Sequence, residues 1–257
     1  MTVRSLIHGL ALTLAAFVPF AVAATAADIK VLHSTPVKPA MDDLIVAFTK
    51  SSGHKVTAEH GTSGATGMRI QNGEIVDMAV VTGPQIRDLQ KRGRVVEGSV
   101  IDIAKVGLGV YTRKGGPKRD ISSLEAFKRA LVDANSIGYL DPASGAVGGI
   151  YVAGLIERLN LTAELKSKTK INMVAAAVID SVANGTVEIG VGQMSEIAAD
   201  PRIELVGPLP AEVQLFTLFT AGIATVSTQP EIAKALVQFI SSPAAQAIWT
   251  AKGFQLP

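Results

Sequence analysis

The sequence predicts an α/β protein with two lobes, each a mostly parallel sheet flanked by helices, and three observations support this prediction. Strand-like and helix-like segments alternate along the chain, which is typical of parallel strands connected through helices. The 257 residues are 48% hydrophobic, enough for a large core. Two long apolar strands, 103–112 and 214–226, are the best candidates for segments that cross between lobes. We therefore expect lobe one to comprise 28–106 plus 222–257, and lobe two to comprise 107–221.

The composition excludes several classes of function. The chain has 24 basic and 22 acidic residues, a net charge of +2, which is too small and too evenly spread for a nucleic-acid-binding protein that depends on phosphate neutralisation. It contains no cysteine, which excludes disulfides, a thiolate nucleophile and cysteine-ligated metals. The composition therefore argues against a nucleic-acid partner and against chemistry that depends on cysteine.

The first 27 residues have the pattern of a secretory signal peptide. Arg4 is the only charged residue before Asp28, an apolar run occupies 10–22, and small Ala-x-Ala residues follow it. The apolar run is short for a membrane span, so an N-terminal membrane anchor is the less favoured alternative. We expect residues 1–27 to be a cleaved signal peptide, and the mature chain to be soluble and periplasmic.

Apolar spacing and breaker residues predict the elements of the first half of the chain. Met41, Leu44, Ile45 and Phe48 recur at helical spacing, which predicts a helix that Gly53 ends. The elements predicted by the same reasoning are strands at 29–33, 55–60, 76–81 and 103–112, helices at 39–50, 68–72 and 84–92, and a loop at 61–67.

The second half continues the alternation. Ser122 and Glu125 have the spacing of a capping box, which predicts a helix that begins at Ser122. The predicted elements are strands at 136–140, 188–192 and 214–226, and helices at 122–132, 148–159, 175–184, 230–240 and 243–251.

Four loops combine a strand end, small polar residues and the start of a helix. They are 33–35, 61–64, 143–145 and 193–195. Unpaired N–H groups at a helix N-terminus, close approach at glycine and hydroxyl donors together bind a small anion without a cationic side chain. Each loop alone is also explained by ordinary helix capping, so the combination is more informative than any single loop.

Several short segments resemble the periplasmic molybdate-binding-protein family of solute receptors, and the similarity runs along nearly the whole mature chain. The segments that carry it are Ile29-Lys-Val-Leu32 with Ala40-Met-Asp-Asp43, Thr62-Ser63 before the helix that Gly73 ends, Val76-Asp-Met-Ala-Val80, Asp141-Pro142 with Gly149-Ile-Tyr151, and Gly253-Phe254. The resemblance implies the two-lobed type II periplasmic binding protein fold, with the ligand in the cleft between the lobes.

The same resemblance implies where the ligand is held. Ser63 matches a ligand-binding serine of the family, and Gly148 and Ala175 fall near two positions that bind through the backbone. A second family serine aligns with Pro36, and a family tyrosine aligns with Gln193. These two changes argue against tetrahedral molybdate as the ligand. The complete set of candidate ligand-binding residues is Ser34, Thr35, Thr62, Ser63, Ser144, Gly145, Gly148, Ala175 and Gln193.

A narrower similarity points to an enzyme with the same fold. Three segments, Ala143-Ser-Gly145, Gly192-Gln-Met-Ser-Glu196 and Leu209-Pro210 with Gln214, resemble the aconitate isomerase branch. This resemblance implies an exported enzyme that interconverts trans- and cis-aconitate by moving a proton along an allylic skeleton.

Two histidines are the candidate catalytic groups for such a reaction. His33 ends the first strand and His60 ends the second, so both are expected near the cleft. An imidazole with a free pKa of about 6.5 is a suitable general base near neutral pH. The alternative is that both are structural and bond to neighbouring carbonyls. Glu196 could cap its own helix or act as a second acid or base.

Two functions therefore remain open at the level of sequence. One is a monomeric solute-binding protein that holds a small carboxylate or oxyanion for an ABC permease. The other is a cofactor-free aconitate isomerase in which His33 and His60 assist proton transfer. The histidine spacing predicts no metal site, and 64–67 lacks the Gly-Lys-Ser/Thr of a phosphate-binding loop.

Overall fold

The computed structural model describes residues 27–257, so the predicted signal peptide lies almost entirely outside the described residues. The strands are β1 (Asp28–Ser34), β2 (Lys55–Gly61), β3 (Met78–Thr82), β4 (Ile101–Arg113), β5 (Ile137–Leu140), β6 (Thr169–Asn172), β7 (Ile189–Gln193), β8 (Ile203–Pro208) and β9 (Phe216–Ile223). The helices are α1 (Lys38–Ser52), α2 (Ser63–Gln71), α3 (Gly83–Lys91), α4 (Leu124–Asp133), α5 (Val147–Arg158), α6 (Thr162–Leu165), α7 (Ala175–Ala183), α8 (Met194–Ala199), α9 (Pro230–Ile240) and α10 (Pro243–Ala251).

The nine strands form a mixed sheet in the order β2-β1-β3-β9-β4-β7-β5-β6, with β8 paired to β4. The outer strands are parallel: β1 pairs with β2 and β3, and β5 pairs with β6 and β7. The long central strands β4 and β9 are antiparallel to their neighbours. The α/β class and the two-lobed architecture predicted from the sequence are therefore present, with antiparallel pairing at the centre.

Strand β4 joins the two halves of the sheet. Its first part, Ile101–Gly107, pairs with β9, and its second part, Leu108–Thr112, pairs with β7. The largest hydrophobic cluster on the first side includes Met41, Phe219 and Trp249. The largest cluster on the other side contains only residues between Leu108 and Leu215. Each half of the molecule thus packs around its own core, and β4 passes from one to the other.

Several local details differ from the sequence prediction. Residues 61–67 are not all loop, because α2 begins at Ser63 with Thr62 as its cap. Ser123 caps α4, with its side chain accepting from the N–H of Ala126, so the capping box predicted at Ser122 is wrong by one residue. The sequence patterns predicted no element at α6, β6 or β8, and only the start of a helix at α8. These four elements are short and largely exposed or intermediate in burial.

Candidate functional site

A cavity of about 280 Å³ lies between the two halves of the molecule. It is well above the ~150 Å³ that accepts a six-carbon ring in an engineered cavity. Its lining comprises Thr35, Pro36, His60, Gly61, Thr62, Ser63, Leu140, Ala146, Val147, Gly148, Gly149, Met173, Val174, Ala175, Ala176, Val191, Gly192, Gln193, Glu196, Thr217 and Phe219. No lysine or arginine is among these lining residues.

The wall from the first half is built at the N-terminus of α2. The Thr62 side chain accepts a hydrogen bond from the N–H of Ala65 at 3.2 Å and so fixes the start of the helix. Ser63 lines the cavity, and its Oγ lies 2.7 Å from the Oγ of the fully buried Ser34. A hydroxyl can both donate and accept a hydrogen bond. If Ser63 donates to Ser34, the Ser63 oxygen can accept a hydrogen bond from a ligand. If Ser34 donates to Ser63, the Ser63 proton is available to a ligand.

The wall from the second half consists of two helix N-termini that no side chain caps. Helix α5 begins after Ala146 and α7 begins after Val174. Within residues 27–257, no acceptor is paired with the first-turn N–H groups of Val147, Gly148, Gly149, Ala175 and Ala176. These donors carry the positive end of the helix dipole. Together they form a surface of unpaired hydrogen-bond donors that faces the cavity and suits an anion.

Glycine is required at the start of α5 because the helix packs directly against a strand. A side chain added at Gly149 would place its Cβ 2.2 Å from the carbonyl oxygen of Leu140. At Gly148 the nearest atoms would be a Leu108 methyl group at 3.2 Å and the amide nitrogen of Gln193 at 3.7 Å. The two glycines let the N-terminus of α5 approach both the sheet and the cavity.

Gln193 and Thr217 form a buried polar pair in the cavity wall. The Nε2 of Gln193 donates to the Oγ1 of Thr217 at 3.1 Å, and its Oε1 is buried without a partner in the described part of the chain. The threonine hydroxyl can donate as well as accept. A half-turn of the amide would keep the bond to Thr217 and present an N–H donor to a ligand instead. Gln193 can therefore meet either a ligand donor or a ligand acceptor.

The two candidate histidines occupy different environments. His33 is buried, its Nδ1 lies 3.0 Å from the carbonyl oxygen of Ser34, and it is not among the cavity-lining residues. Burial lowers the pKa of His33 to about 4, so its imidazole is neutral at pH 7. His60 lines the cavity and stacks on His33 with ring centroids 5.8 Å apart. Burial, and then the positive charge of Lys38, also lower the pKa of His60.

Glu196 contributes a carboxyl group to the same cavity. It lies in the first turn of α8 and is intermediate in exposure. Its side chain makes no hydrogen bond or ion pair with any residue of 27–257, so the structure shows no capping bond from it. Burial raises the pKa of Glu196 to about 7. At neutral pH this carboxyl group is close to half protonated.

Ser144 and Gly145 do not line the cavity but close it. The hydroxyl of Thr62 donates to the carbonyl oxygen of Ser144 at 2.5 Å, and the N–H of Gly64 donates to the carbonyl oxygen of Gly145 at 3.2 Å. A third contact of this kind runs from the Oγ of Ser195 to the carbonyl oxygen of Pro36 at 2.8 Å. The structure thus brings the two halves into contact around the cavity.

Of the residues predicted from the sequence, Thr35, Thr62, Ser63, Gly148, Ala175, Gln193 and His60 line the cavity. Ser34 lies behind Ser63, His33 lies behind His60, and Ser144 and Gly145 sit at the contact between halves. The sequence analysis missed Thr217, which only the pairing of β9 with β4 brings to the cavity. It also missed the apolar wall formed by Leu140, Val147, Met173, Val174, Val191 and Phe219.

The acidic and histidine side chains do not gather into a metal site. No group of three or more His, Cys, Asp or Glu residues that could hold a metal ion occurs between residues 27 and 257. Across the same part of the chain, no helix has both the length and the apolarity needed to cross a bilayer.

The chain is similar to known proteins along nearly its whole length. The family model for bacterial extracellular solute-binding proteins matches residues 29–255. An aconitate isomerase from Pseudomonas sp is 31% identical over 243 residues, which cover 91% of this chain and 90% of that protein. A molybdate-binding protein from Azotobacter vinelandii is 28% identical over 245 residues, covering 92% and 93%. The solved structure of a periplasmic molybdate-binding protein from Azotobacter vinelandii matches with a TM-score of 0.76 at 19% identity, covering 89% of this chain and 99% of that one.

Proposed function

Because the chain belongs to the family of bacterial extracellular solute-binding proteins, we propose that it binds a small organic carboxylate between its two lobes and delivers it to an ABC-type importer. In this proposal the lobes predicted from the sequence, 28–106 plus 222–257 and 107–221, close by hinge bending, except that all of β9 packs with lobe one. Binding takes place in the periplasm, after removal of residues 1–27.

The observation that carries the proposal is the lining of the cavity. Unpaired N–H groups of α5 and α7 and the Ser63 hydroxyl supply donors for a carboxylate, without any cationic side chain. Much of the rest of the wall is apolar, with Leu140, Met173 and Phe219 among its members. A carbon skeleton gains from contact with such a wall, whereas a bare tetrahedral oxyanion has no carbon to place there. The lining therefore favours an organic acid over molybdate or sulfate.

A thermal-shift screen tests the proposal. The panel contains trans-aconitate, cis-aconitate, citrate, succinate, molybdate and sulfate. A ligand present at 100 times its dissociation constant adds about 2.7 kcal/mol to the free energy of unfolding, so a matching acid should raise the melting temperature by several degrees. We expect shifts with the six-carbon acids and none with the inorganic anions. A shift with molybdate alone, or with no member of the panel, would contradict the proposal.

The second candidate function is isomerisation of aconitate, and three observations favour it. His60 and Glu196 both face the cavity, and burial lowers the pKa of His60 and raises the pKa of Glu196 to about 7. A neutral imidazole can accept a proton while a protonated carboxyl group donates one. The N–H groups of α5 and α7 would stabilise the negative charge that spreads over the allylic skeleton and its carboxylates. The 31% identical relative carries the name aconitate isomerase.

Ultraviolet absorbance distinguishes the enzyme from the receptor, because the two aconitate isomers absorb differently. If the protein is an isomerase, mixing trans-aconitate with the purified wild type should change the absorbance continuously without an added cofactor. His60→Asn should abolish turnover while trans-aconitate still raises the melting temperature. His54→Gln, which alters a histidine outside the cavity, serves as the matched control. Binding without turnover by the wild type would leave only the receptor.

A further inference from the structure

A carboxyl group is an unexpected member of a cavity that we propose for an anion. Glu196 lines the cavity beside Gln193, at the opening of α8. An ionised Glu196 would repel a ligand carboxylate, and the repulsion would be strong because the surrounding wall is largely apolar. When two carboxyl groups share a site, the pKa of one of them is strongly raised.

Among residues 27–257, no lysine or arginine forms an ion pair with Glu196 or contributes to the shift of its pKa. Helix α8 packs against β4, β7, β8, α1 and the turn at 35–37. The titratable groups on these elements are Lys38, Asp42, Asp43 and Lys50 of α1, Asp102, Lys105, Tyr111 and Arg113 of β4, and Glu204 of β8. Lys38 pairs with Asp42, Asp43 with Lys252, Asp102 with Arg87, and Glu204 with Lys118. His60 faces the same cavity from β2.

The pKa of Glu196 is shifted by burial alone. Burial raises the pKa of Glu196 to about 7, and no neighbouring charge contributes to the shift. Tyr111 borders a small side pocket together with Glu196, and the pKa of Tyr111 is raised by burial and by the carboxylate. The phenol is therefore neutral and does not offset the charge. A ligand carboxylate in the cavity would favour the protonated form of Glu196 still further.

In its protonated form Glu196 becomes a donor instead of a repelling charge. A carboxylic acid donates one O–H, and an O–H bonded to a carboxylate forms a short, charge-assisted hydrogen bond. Resting on the proposed function, the geometry points to Glu196 as a specificity-determining residue that binds in its protonated form, so that the cavity takes up one ligand carboxylate together with one proton from solvent. Gln193, with its free amide atom in the same wall, meets a second polar group of the ligand.

Calorimetric titration with trans-aconitate tests this inference directly. Titrations in buffers of different ionisation enthalpy give the number of protons taken up per ligand bound. At pH 8 most Glu196 side chains are ionised before binding, so the wild type should take up close to one proton, and at pH 6 only a small fraction of one. Glu196→Gln keeps a hydrogen-bond donor but cannot titrate. It should take up almost no proton at pH 8 and bind within about fivefold of the wild type at pH 6.

Two control variants locate the proton. Glu204→Gln alters a carboxylate of β8 outside the cavity, and His60→Asn removes the other titratable group that faces the ligand. Both should show the proton uptake of the wild type. Uptake that persists in Glu196→Gln, or disappears in His60→Asn, would assign the proton elsewhere and overturn the inference.

The remaining outcomes separate the inference from the proposed function. Wild type that binds trans-aconitate without proton uptake at pH 8 overturns the role of Glu196 and leaves the receptor intact. Wild type that binds no organic acid overturns both. If Glu196→Gln does not fold, infrared difference spectra of the wild type test whether a carboxyl group becomes protonated on binding. Addition of trans-aconitate at pH 8 should produce the carbonyl band of a protonated carboxyl group, and its absence would overturn the inference.

Discussion

At the scale of single residues, the buried hydroxyl of Ser34 orients the hydroxyl of Ser63 in the cavity wall. Their Oγ atoms are 2.7 Å apart, and only Ser63 lines the cavity. Ser34 therefore orients the hydroxyl that we propose contacts the ligand.

Removing that hydroxyl should weaken binding without unfolding the protein. A hydrogen bond to a charged group contributes about 1.5–3 kcal/mol, so Ser63→Ala should lower the affinity for the bound acid by roughly 10-fold or more. Ser34→Ala should cause a smaller loss, since it acts only through Ser63. Calorimetric titration measures both, and equal losses from Ser51→Ala, an alteration at the far end of α1, would contradict the assignment.

His33 should make the protein sensitive to acid. Its pKa is about 4 in the folded protein, against about 6.5 for a free histidine, so the unfolded state binds more protons between these values. The free energy of unfolding should therefore fall by roughly 3 kcal/mol from this group as the pH drops from 6.5 to 4.

Urea unfolding across that pH range checks the effect of His33. His33→Asn retains an N–H that can reach the carbonyl oxygen of Ser34 but does not titrate. The difference in free energy of unfolding between the wild type and His33→Asn should shrink as the pH falls. The free energy of unfolding of His54→Gln should change with pH as that of the wild type does. A constant difference between wild type and His33→Asn would show that His33 is not buried and neutral.

At the scale of elements, the helix N-termini of α5 and α7 are the central feature. Neither has a capping side chain, and their free N–H groups face the cavity. A carboxylate placed by mutation at Ala175, the first residue of α7, would occupy the position that we propose for the ligand carboxylate.

We expect Ala175→Asp to stabilise the ligand-free protein and to abolish binding. A negative charge in the first turn of a helix contributes about 0.3–1 kcal/mol, which should raise the melting temperature slightly. The same residue would repel the ligand carboxylate. Ala244→Asp, in the first turn of α10 and exposed, is the matched control. It should stabilise without affecting binding, and unchanged binding in Ala175→Asp would remove α7 from the site.

The elements also show what the sequence can and cannot predict. Long segments with strong apolar periodicity, such as α1, α5 and β4, were predicted close to their observed bounds. The short β6 was not predicted, and only the start of α8 was, because too few of their residues carry a period. Ser63 and Gly148 were found from helix-start signals and family resemblance. Thr217 was not, because its place in the cavity depends on strand pairing between distant parts of the chain.

At the scale of the whole molecule, the contacts between halves determine whether the cavity is closed. Gly64 and Gly145 touch so closely that a Cβ at Gly64 would lie 3.0 Å from both the Cα and the carbonyl oxygen of Gly145. The N–H of Gly64 also donates to that oxygen. A side chain at Gly64 would therefore press against the backbone of Gly145 where the two halves meet.

Gly64→Ala should hold the lobes apart without destabilising either one. Alanine favours a helix more than glycine does by about 1 kcal/mol, so α2 itself should gain stability. The affinity for the acid should nevertheless fall by about 10-fold, and small-angle scattering should show less compaction on addition of trans-aconitate. Gly154→Ala, in α5 and away from the contact, should behave as the wild type. Full compaction of Gly64→Ala would show that this contact does not limit closure.

The first-turn amides of α5 and α7 belong to the main chain, and this has a consequence for how the protein can change over time. No single codon replacement, apart from one to proline, deletes an N–H group. Substitutions other than proline therefore leave these main-chain donors in place, whereas each side chain around them can be replaced. Substitutions in the wall can therefore change which ligand the cavity accepts, while the main-chain donors that we propose for an anion are retained.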